Sequence, residues 1–169
     1  MAPGFQSRQD WCRQSVRCRR QSFKGWVLTQ IDFYFHVENK LHTACALSAK
    51  ACARGLRVLA FCADADAGMK FSRLLWTAQA VSFIPHCTPG DPLAAVTPVI
   101  VDHDGANPPH DEVLINLRPE WPPFFSRFQR LIEIVSLDEE DRSQARARFK
   151  FYRDRGYEIK SHDLSKSPQ

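Results

Sequence analysis

The chain has 169 residues, of which 44% are hydrophobic and 25% are charged, close to the averages of globular domains. This length predicts one domain with its own core, and no apolar run approaches the roughly 18 residues of a membrane-spanning helix. The net charge of +4 is uneven, because residues 1–28 hold six basic residues and one acid, which leaves −1 for residues 29–169. A general nucleic-acid-binding domain is usually basic, so any function that depends on cations must be local.

The first 28 residues do not resemble the start of a domain. Residues 1–28 are Arg-rich and lack the apolar segment of a secretory signal. They are interpreted as a disordered basic extension, as a transit-peptide-like segment, or as the product of a start assigned too far upstream, with the native chain beginning just before Thr29. We favour the last, and an intact native mass that matches all 169 residues would contradict it. The domain is then expected over residues 29–164, with a frayed tail over residues 165–169.

The first half of the domain predicts a strand, a helix, a buried strand and a second helix. Alternating and aromatic residues at 30–36 are typical of a strand. Apolar residues recur at three- and four-residue spacing over 39–55, which predicts a helix that ends at Gly55. The near-continuous apolar run 56–63 predicts a buried parallel strand. A short helix is predicted over residues 64–76.

The second half begins with an irregular segment and continues with further strands. Residues 77–97 contain three prolines and a glycine, which indicates a loop. Apolar runs at 97–103 and 111–117 predict two strands. Residues 118–129 predict a short helix with prolines near its start, where they are tolerated. Another strand is predicted over residues 130–135.

The last long helix has the clearest boundaries in the sequence. Ser136 and Glu139 fit a capping box of the form S-x-x-E, acids fill the first turn and bases the last turn, and Gly156 ends the helix. Residues 157–162 then predict an edge strand. Because strands and helices alternate, we predict a single α/β domain with a largely parallel sheet and helices on both faces.

The cysteines do not indicate a metal site or a disulfide framework. Cys45 and Cys52 fall on the predicted helix face, and Cys62 lies in an apolar strand. These three are interpreted as small buried hydrophobic residues in a reducing cytosol. No pair of Cys or His has zinc-finger spacing, so a zinc site is not expected.

A small phosphohydrolase is the alternative that the sequence leaves open. The glycine-rich nucleotide loops and the G-x-S-x-G elbow are absent from the sequence. Asp64 and Asp66 follow a buried strand, as in haloacid-dehalogenase-like phosphatases, and paired carboxylates suit Mg²⁺. Gly68 stands where such sites carry Thr or Val, and only Asp102 and Asp104 could supply the second acidic pair. Helix capping is the commoner role for acids at this position.

The last helix carries a basic face that includes one aromatic residue. Arg142, Arg146, Phe149, Lys150 and Arg153 fall within an arc of about 100°. Such a face is often only solvated surface. The three later cations have no acid four residues before them, and like charges repel at that spacing, so a bound anion would favour the arrangement. One aromatic among four cations fits an acidic peptide with an apolar end better than a nucleic-acid strand.

Aromatic residues in predicted loops have two interpretations. Trp76 and Phe83 flank an irregular segment, where they could pack in the core or contact a partner protein. The run 121–125 and Phe128 are interpreted mainly as core residues.

Six blocks of sequence together resemble the chi subunit of bacterial DNA polymerase III. They are "DFYFH", "GLRVLAFCAD", "LLWTAQAVSFIPH", "DEVLINL", "PPFFSRFQRLIEIV" and "ARARFKFYRDRGYE", in this order from about residue 30 to about residue 164. The resemblance implies a Rossmann-like α/β fold without catalysis or cofactor. It also implies a cytoplasmic replisome protein that meets DNA only indirectly and has no membrane contact.

The resemblance further implies two protein partners and their contact residues. The psi subunit would link the chain to the clamp loader through Trp76 and Phe83, on a surface that also resembles one able to engage an accessory helicase. Single-stranded-DNA-binding protein would be bound through its acidic C-terminal tail, which ends in Phe. The implied tail-binding residues are Val135, Arg142, Arg146, Phe149 and Lys150. Phe149 stands where the family often has Tyr, and Arg142 where Lys can occur, so both keep the character of the position.

Overall fold

The computed structural model of the chain describes residues 28–77, 83–105 and 108–166. The strands in these ranges are β1 (Gln30–Val37), β2 (Val58–Phe61), β3 (His86–Cys87), β4 (Val99–Asp102), β5 (Val113–Asn116), β6 (Arg130–Ser136) and β7 (Ile159–Asp163). The α-helices are α1 (Lys40–Ala53), α2 (Ala65–Thr77) and α3 (Glu139–Asp154), and short 3-10 helices span Phe125–Arg127 and Leu164–Lys166. The predictions for residues 1–27 and 167–169 fall outside the described residues.

The strands form one parallel sheet in the order β3-β4-β2-β5-β6-β1-β7. Every residue of β2, β4 and β5 is buried. This explains their near-continuous apolar sequences, because a parallel sheet with both faces covered has no solvated side. The predicted α/β class with a Rossmann-like parallel sheet is confirmed.

Helices cover both faces of the sheet. Val58 and Ala60 of β2 pack with α1 and α2 on one face, while Leu59 and Phe61 point to the other face, where α3 packs. On α3 the buried contacts to the sheet include Ala145 and Tyr152, the flank that the helical periodicity predicts. None of the helices within the described ranges is long and apolar enough to cross a membrane.

Helix ends follow the sequence signals in three cases and depart from them in one. Gly55 and Gly156 adopt positive φ angles of 74° and 77° just after α1 and α3, as expected for the glycine that follows a helix. Asp64 caps α2, since its Oδ1 accepts a hydrogen bond from the Ala67 amide at 2.7 Å. The capping box predicted for Ser136 and Glu139 is wrong, because Asp138 caps α3.

The residue that caps α3 is Asp138, whose side chain accepts from the Glu140 amide. Ser136 cannot take this place, because it is still the last residue of β6. Its amide and hydroxyl instead both donate to Oδ2 of Asp141, at 2.8 and 2.9 Å. Glu139 is left free to turn toward the basic face of α3.

Two short elements differ from the predictions. Residues 77–97 were expected to be irregular, yet His86–Cys87 forms β3, which pairs with β4. Two residues are too few for any periodicity to reveal a strand, so only the neighbouring strand specifies it. The helix predicted within 118–129 is reduced to the 3-10 turn Phe125–Arg127, in which Phe125 is buried, as is Phe128 directly after it.

The cysteines in the described ranges are free thiols. Cys45 and Cys62 are buried as predicted, whereas Cys52 is only partly buried. Burial raises the pKa of Cys45 to about 11 and the pKa of Cys62 to about 12. Both thiols therefore stay protonated near neutral pH and act as apolar core groups.

Candidate functional site

The five residues that the resemblance implies for tail binding line one cavity of about 530 Å³. It lies between α3 and the ends of β1, β6 and β7, and we call it the α3 pocket. Val135 enters it from β6, while the four other residues come from successive turns of α3 (Arg142, Arg146, Phe149 and Lys150). Arg153 lines the same cavity, so the whole arc predicted from helical periodicity faces it.

The floor of the α3 pocket is apolar. Val135 is 2% exposed, and Ala145 is also buried. The Phe149 ring is partly buried and meets Phe33 edge-on, with 5.2 Å between the ring centroids. Phe35 stacks on Phe33, with the ring centroids 5.6 Å apart. An apolar side chain could therefore be buried against this floor.

The rim of the α3 pocket is cationic and exposed. Arg146, Lys150 and Arg153 are exposed, and Arg142 is half-buried. Glu139 meets two of these cations, with Oε2 at 3.1 Å from Nη1 of Arg142 and Oε1 at 3.2 Å from Nη1 of Arg146. These ion pairs are solvated and therefore weak, so an incoming carboxylate can replace Glu139.

Sequence reasoning missed the role of Glu139 because it searched only for acids four residues before each cation. Glu139 lies three residues before Arg142 and seven before Arg146, which is about two helical turns and still the same face. The wrong capping box and the missed contact have the same cause, because the Glu139 side chain contacts the cations instead of the end of the helix.

A buried polar network fixes α3 on the sheet. Arg148 is 1% exposed, and its Nε lies 3.0 Å from Oε2 of Glu133, which is fully buried in β6. Tyr152 donates its hydroxyl to Oε1 of Glu133 at 2.8 Å, and the Asn116 amide donates to the same oxygen at 3.1 Å. Arg148 also donates to the carbonyl of Pro119. These contacts attach two successive turns of α3, at Arg148 and Tyr152, to Glu133 of β6 and so orient the helix on the sheet.

Burial and hydrogen bonding have opposite effects on the pKa of Glu133, the acid of this network. Burial raises the pKa of Glu133, while the Arg148 guanidinium and the hydrogen bonds from Asn116 and Tyr152 lower it. Burial and the neighbouring carboxylate raise the pKa of Tyr152, so its hydroxyl remains a donor. The sequence did carry a signal for this network, because Glu133 is a lone acid within the apolar strand "RLIEIV" and a buried acid requires partners.

A second candidate surface contains the aromatic pair Trp76 and Phe83. Their side chains are 63% and 50% exposed, and the ring centroids lie 4.2 Å apart. Phe83 also borders a cavity of about 490 Å³ beside small residues of α1, among them Ala49 and Ala53. Of the two interpretations given to these aromatics, the structure excludes core packing. Exposed paired aromatics are typical of protein interfaces.

The acids of the phosphohydrolase alternative have other contacts. Asp64 caps α2, and Oδ2 of Asp66 lies 2.7 Å from Nζ of Lys70. Asp102 accepts from the amides of Asp104 and Gly105, which closes a turn after β4. Within the described ranges, Asp102, His103 and Asp104 are the group whose ligand atoms come close enough for a metal ion, within 4.8 Å. Asp64 therefore has the capping role that is commoner for acids at this position, and Asp66 is paired with a lysine.

The fold and the two surfaces define a class of protein. It is a Rossmann-like α/β domain with an apolar pocket rimmed by cations, and a separate pair of exposed aromatics, which are the features of a domain that contacts other macromolecules. Residues 28–160 match the family model described as DNA polymerase III chi subunit, HolC. The chain belongs to this family.

Curated relatives extend the match over most of the chain. A protein of Pseudomonas aeruginosa is 33% identical over 141 residues, covering 81% of this chain and 98% of the relative. A Haemophilus influenzae protein is 30% identical over 138 residues, covering 79% and 96%. An Escherichia coli protein is 28% identical over 116 residues, covering 68% and 79%. Each is described as DNA polymerase III subunit chi, which confirms the resemblance found in the six sequence blocks.

Proposed function

We propose that the chain is a non-catalytic subunit of the DNA polymerase III holoenzyme that works as a tether. It would link the clamp loader, through psi, to single-stranded-DNA-binding protein by holding the acidic C-terminal tail of the latter. The observation that carries this proposal is the α3 pocket, in which an exposed cationic rim surrounds an apolar floor. This combination suits a peptide with several carboxylates and an apolar last residue.

The tail would bind by exchanging one carboxylate for another. Its acids would approach Arg142 and Arg146 and replace Glu139, whose pairs with both are exposed. Its terminal Phe would pack on the floor formed by Val135 and Phe149. Each exposed ion pair contributes only about 0–1 kcal/mol, so a single tail binds modestly. Several tails on one coated DNA strand would increase the apparent affinity through their high local concentration.

The psi subunit would bind at the aromatic pair. Trp76 and Phe83 are exposed, and their rings lie 4.2 Å apart at an angle of 37°. This surface is mainly aromatic, in contrast to the cationic rim of the α3 pocket. The helices beneath the two surfaces cover opposite faces of the sheet. One molecule could therefore hold both partners at once, which a tether requires.

Replacing one rim cation tests the tail-binding proposal. We expect Arg146→Ala to weaken binding of an acidic tail peptide ending in Phe by about two- to fivefold, since one exposed ion pair is lost. Isothermal titration calorimetry measures the affinity, and binding of psi should stay unchanged. Arg146 is exposed and not part of the core, so the fold should be retained.

The matched control is Arg73→Ala, which removes an exposed Arg of α2 on the other side of the sheet. It changes net charge equally and should leave the peptide affinity within about twofold, because α2 and the α3 pocket lie on opposite faces of the sheet. Equal losses in both variants would mean that the peptide responds only to total charge. An unchanged affinity in Arg146→Ala would contradict the assignment of the pocket.

A further inference from the structure

The α3 pocket borders an edge of the sheet. β7 pairs with β1 on one side and stands at the end of the strand order, so no strand in the described ranges pairs with its other side. Ser161, in the middle of β7, is exposed and lines the α3 pocket together with Phe35 of β1. The pocket is therefore continuous with this edge.

The pairing with β1 determines which backbone groups of β7 face outward. The amide of Ile31 donates to the carbonyl of Glu158 at 3.0 Å, and Ile31 lies opposite Ile159 in the parallel register. Backbone groups alternate in direction along a paired strand, so those of the even-numbered residues of β7 face β1. The backbone groups of Ile159, Ser161 and Asp163 face away from the sheet, where an edge can accept another strand.

Cations lie along most of this edge and favour an acidic partner. Lys150 and Arg153 of α3 line the pocket together with Ser161. On β7 itself Lys160 is exposed, and its Nζ lies 3.6 Å from Oε1 of Glu158, an exposed and therefore weak pair. An acidic chain that leaves the pocket over Ser161 would thus remain close to positive charges.

The C-terminal end of β7 is less suited to an acidic partner. The Asp163 side chain accepts from the hydroxyl of Ser165 at 2.7 Å, and its Oδ1 lies 2.8 Å from Nδ1 of His36, which has a positive φ of 58°. The hydrogen bonds from Ser165 and His36 lower the pKa of Asp163 to about 2, so it is ionised near neutral pH. An acidic chain would therefore pair at Ile159 and Ser161 in preference to Asp163.

The spacing of the strands fixes how much of a peptide is needed to reach the edge. Val135 of β6 lies on the pocket floor, and β1 and β7 follow β6 in the sheet. A strand added outside β7 would thus lie three strand spacings, or about 14 Å, from Val135. An extended chain advances about 3.3 Å per residue. A peptide whose last side chain lies against Val135 would reach the edge about four residues earlier.

We propose that the outer edge of β7 is a second contact for the acidic peptide of the α3 pocket, whose upstream residues add to the sheet as a short strand bonded to the backbone of Ile159 and Ser161. This inference rests on the proposed function of the pocket. The pocket would recognise the charges and the apolar end of the peptide. The edge would recognise its extended backbone, which is how added strands gain affinity.

Amide hydrogen exchange, followed for each residue by NMR on the full chain, tests this inference. The probe is a synthetic acidic peptide of about nine residues that ends in Phe. At saturation we expect exchange of the Ile159 and Ser161 amides to slow by about tenfold or more. The amides of Lys160 and His162 face β1 and should not change. The matched control is a peptide cut to fewer than about four residues, which can fill the pocket but cannot reach the edge.

Ser161→Pro gives a second measure, because proline removes the outward N–H and is tolerated on edge strands. We expect this variant to bind the long peptide about three- to tenfold more weakly, the range of one hydrogen bond or two, and the short peptide as the wild-type chain does. Ser161→Ala keeps the amide and should bind both peptides normally. Thermal unfolding shows whether the variants are folded, and the exchange experiment on the wild-type chain needs no variant.

The outcomes separate this inference from the proposed function. Binding of the long peptide without slower exchange at Ile159 and Ser161 would overturn the edge contact while the pocket assignment stands. Slower exchange that appears without peptide and increases with protein concentration would assign the edge to a second copy of the chain instead. Failure of the wild-type chain to bind either peptide would overturn the proposed function and the inference together.

Discussion

The α3 pocket and the Trp76–Phe83 pair differ in how much of their chemistry comes from charge. In the pocket, cations surround an apolar floor that is largely closed by the sheet. In the aromatic pair, two neutral rings lie at an angle to each other, and each is at least half exposed. Attraction at the first surface is therefore screened by salt, whereas burial of the second gains from the hydrophobic effect, which salt does not screen.

The two surfaces also differ in what holds them in place. The orientation of α3 depends on the buried network of Glu133, Arg148 and Tyr152. Trp76 stands one residue before the end of α2, and its side chain is exposed. The difference suggests that the pocket is preorganised by the core, so that little ordering cost opposes binding there. Damage to the core should consequently affect the pocket before the aromatic pair.

The largest expected effect comes from breaking the network under α3. Glu133→Ala leaves Arg148 buried without its carboxylate, and removing one partner of a buried pair costs about 3–5 kcal/mol. We expect the free energy of unfolding, measured by urea denaturation, to fall by that amount. Peptide binding at the α3 pocket should weaken under conditions where the variant is still folded, because the helix is no longer held in one orientation.

The control for this variant is Glu158→Ala. Glu158 is exposed and lies 3.6 Å from Lys160, so its loss should change the free energy of unfolding by less than about 1 kcal/mol. If Glu133→Ala were as stable as this control, the buried network would not be what fixes α3. If it lost stability but kept full peptide affinity, the pocket would not depend on the network.

The next effect concerns the aromatic pair. Trp76→Ala removes an exposed ring that contacts Phe83. Loss of a central aromatic side chain at an interface reduces the binding free energy by about 2 kcal/mol or more, which is roughly thirtyfold in affinity. We expect calorimetric titration with purified psi to show this loss of affinity, while the affinity for the tail peptide stays unchanged. The psi affinity of the wild-type chain should change little between low and high salt, in contrast to the tail peptide.

Trp121→Ala is the matched control, since Trp121 is also exposed but stacks on Phe151 beside α3. It should bind psi as the wild-type chain does. Normal psi binding by Trp76→Ala would remove the aromatic pair from the proposal. A strong salt dependence of psi binding would show instead that charge dominates at both surfaces.

The parts of the molecule that could be predicted from the sequence are those governed by local periodicity. The arc from Arg142 to Arg153 follows from 100° per residue, and all its members line one cavity. The buried strands followed from their apolar runs, and Gly55 and Gly156 ended their helices as expected. Trp76 and Phe83 were open between core packing and partner contact on the sequence alone, and the family resemblance implied their role toward psi. The contact between the two rings had no signal in any periodicity.

The features that the sequence did not reveal all depend on residues distant in the chain. Arg148 belongs to the basic helix by sequence, yet it is buried because Glu133 of β6 lies opposite. The left-handed conformation of His36 depends on the shift in pairing between β1 and β6. The two-residue strand β3 exists only through its pairing with β4. In each case the determining interaction is tertiary, so no local pattern could contain it.

The smallest expected effect distinguishes exchange of carboxylates from simple attraction between net charges. Glu139→Gln removes the acid that pairs with Arg142 and Arg146. In this variant no carboxylate at position 139 competes with the peptide for these cations. We therefore expect the peptide to bind about two- to fivefold tighter, the range of one exposed ion pair. Calorimetry at low salt measures the gain, which should disappear at high salt.

Glu140→Gln makes the decisive comparison, because it changes net charge equally in the same turn of α3. Its carboxylate contacts Gln144 rather than a rim cation. If binding depends on exchange at the rim, Glu139→Gln should strengthen it clearly more than Glu140→Gln. Equal gains would mean that the pocket responds only to the overall field of the helix, and the specific contacts of Arg142 and Arg146 would lose their support. A weaker affinity in Glu139→Gln would show that Glu139 positions the two cations for the peptide instead of competing with it.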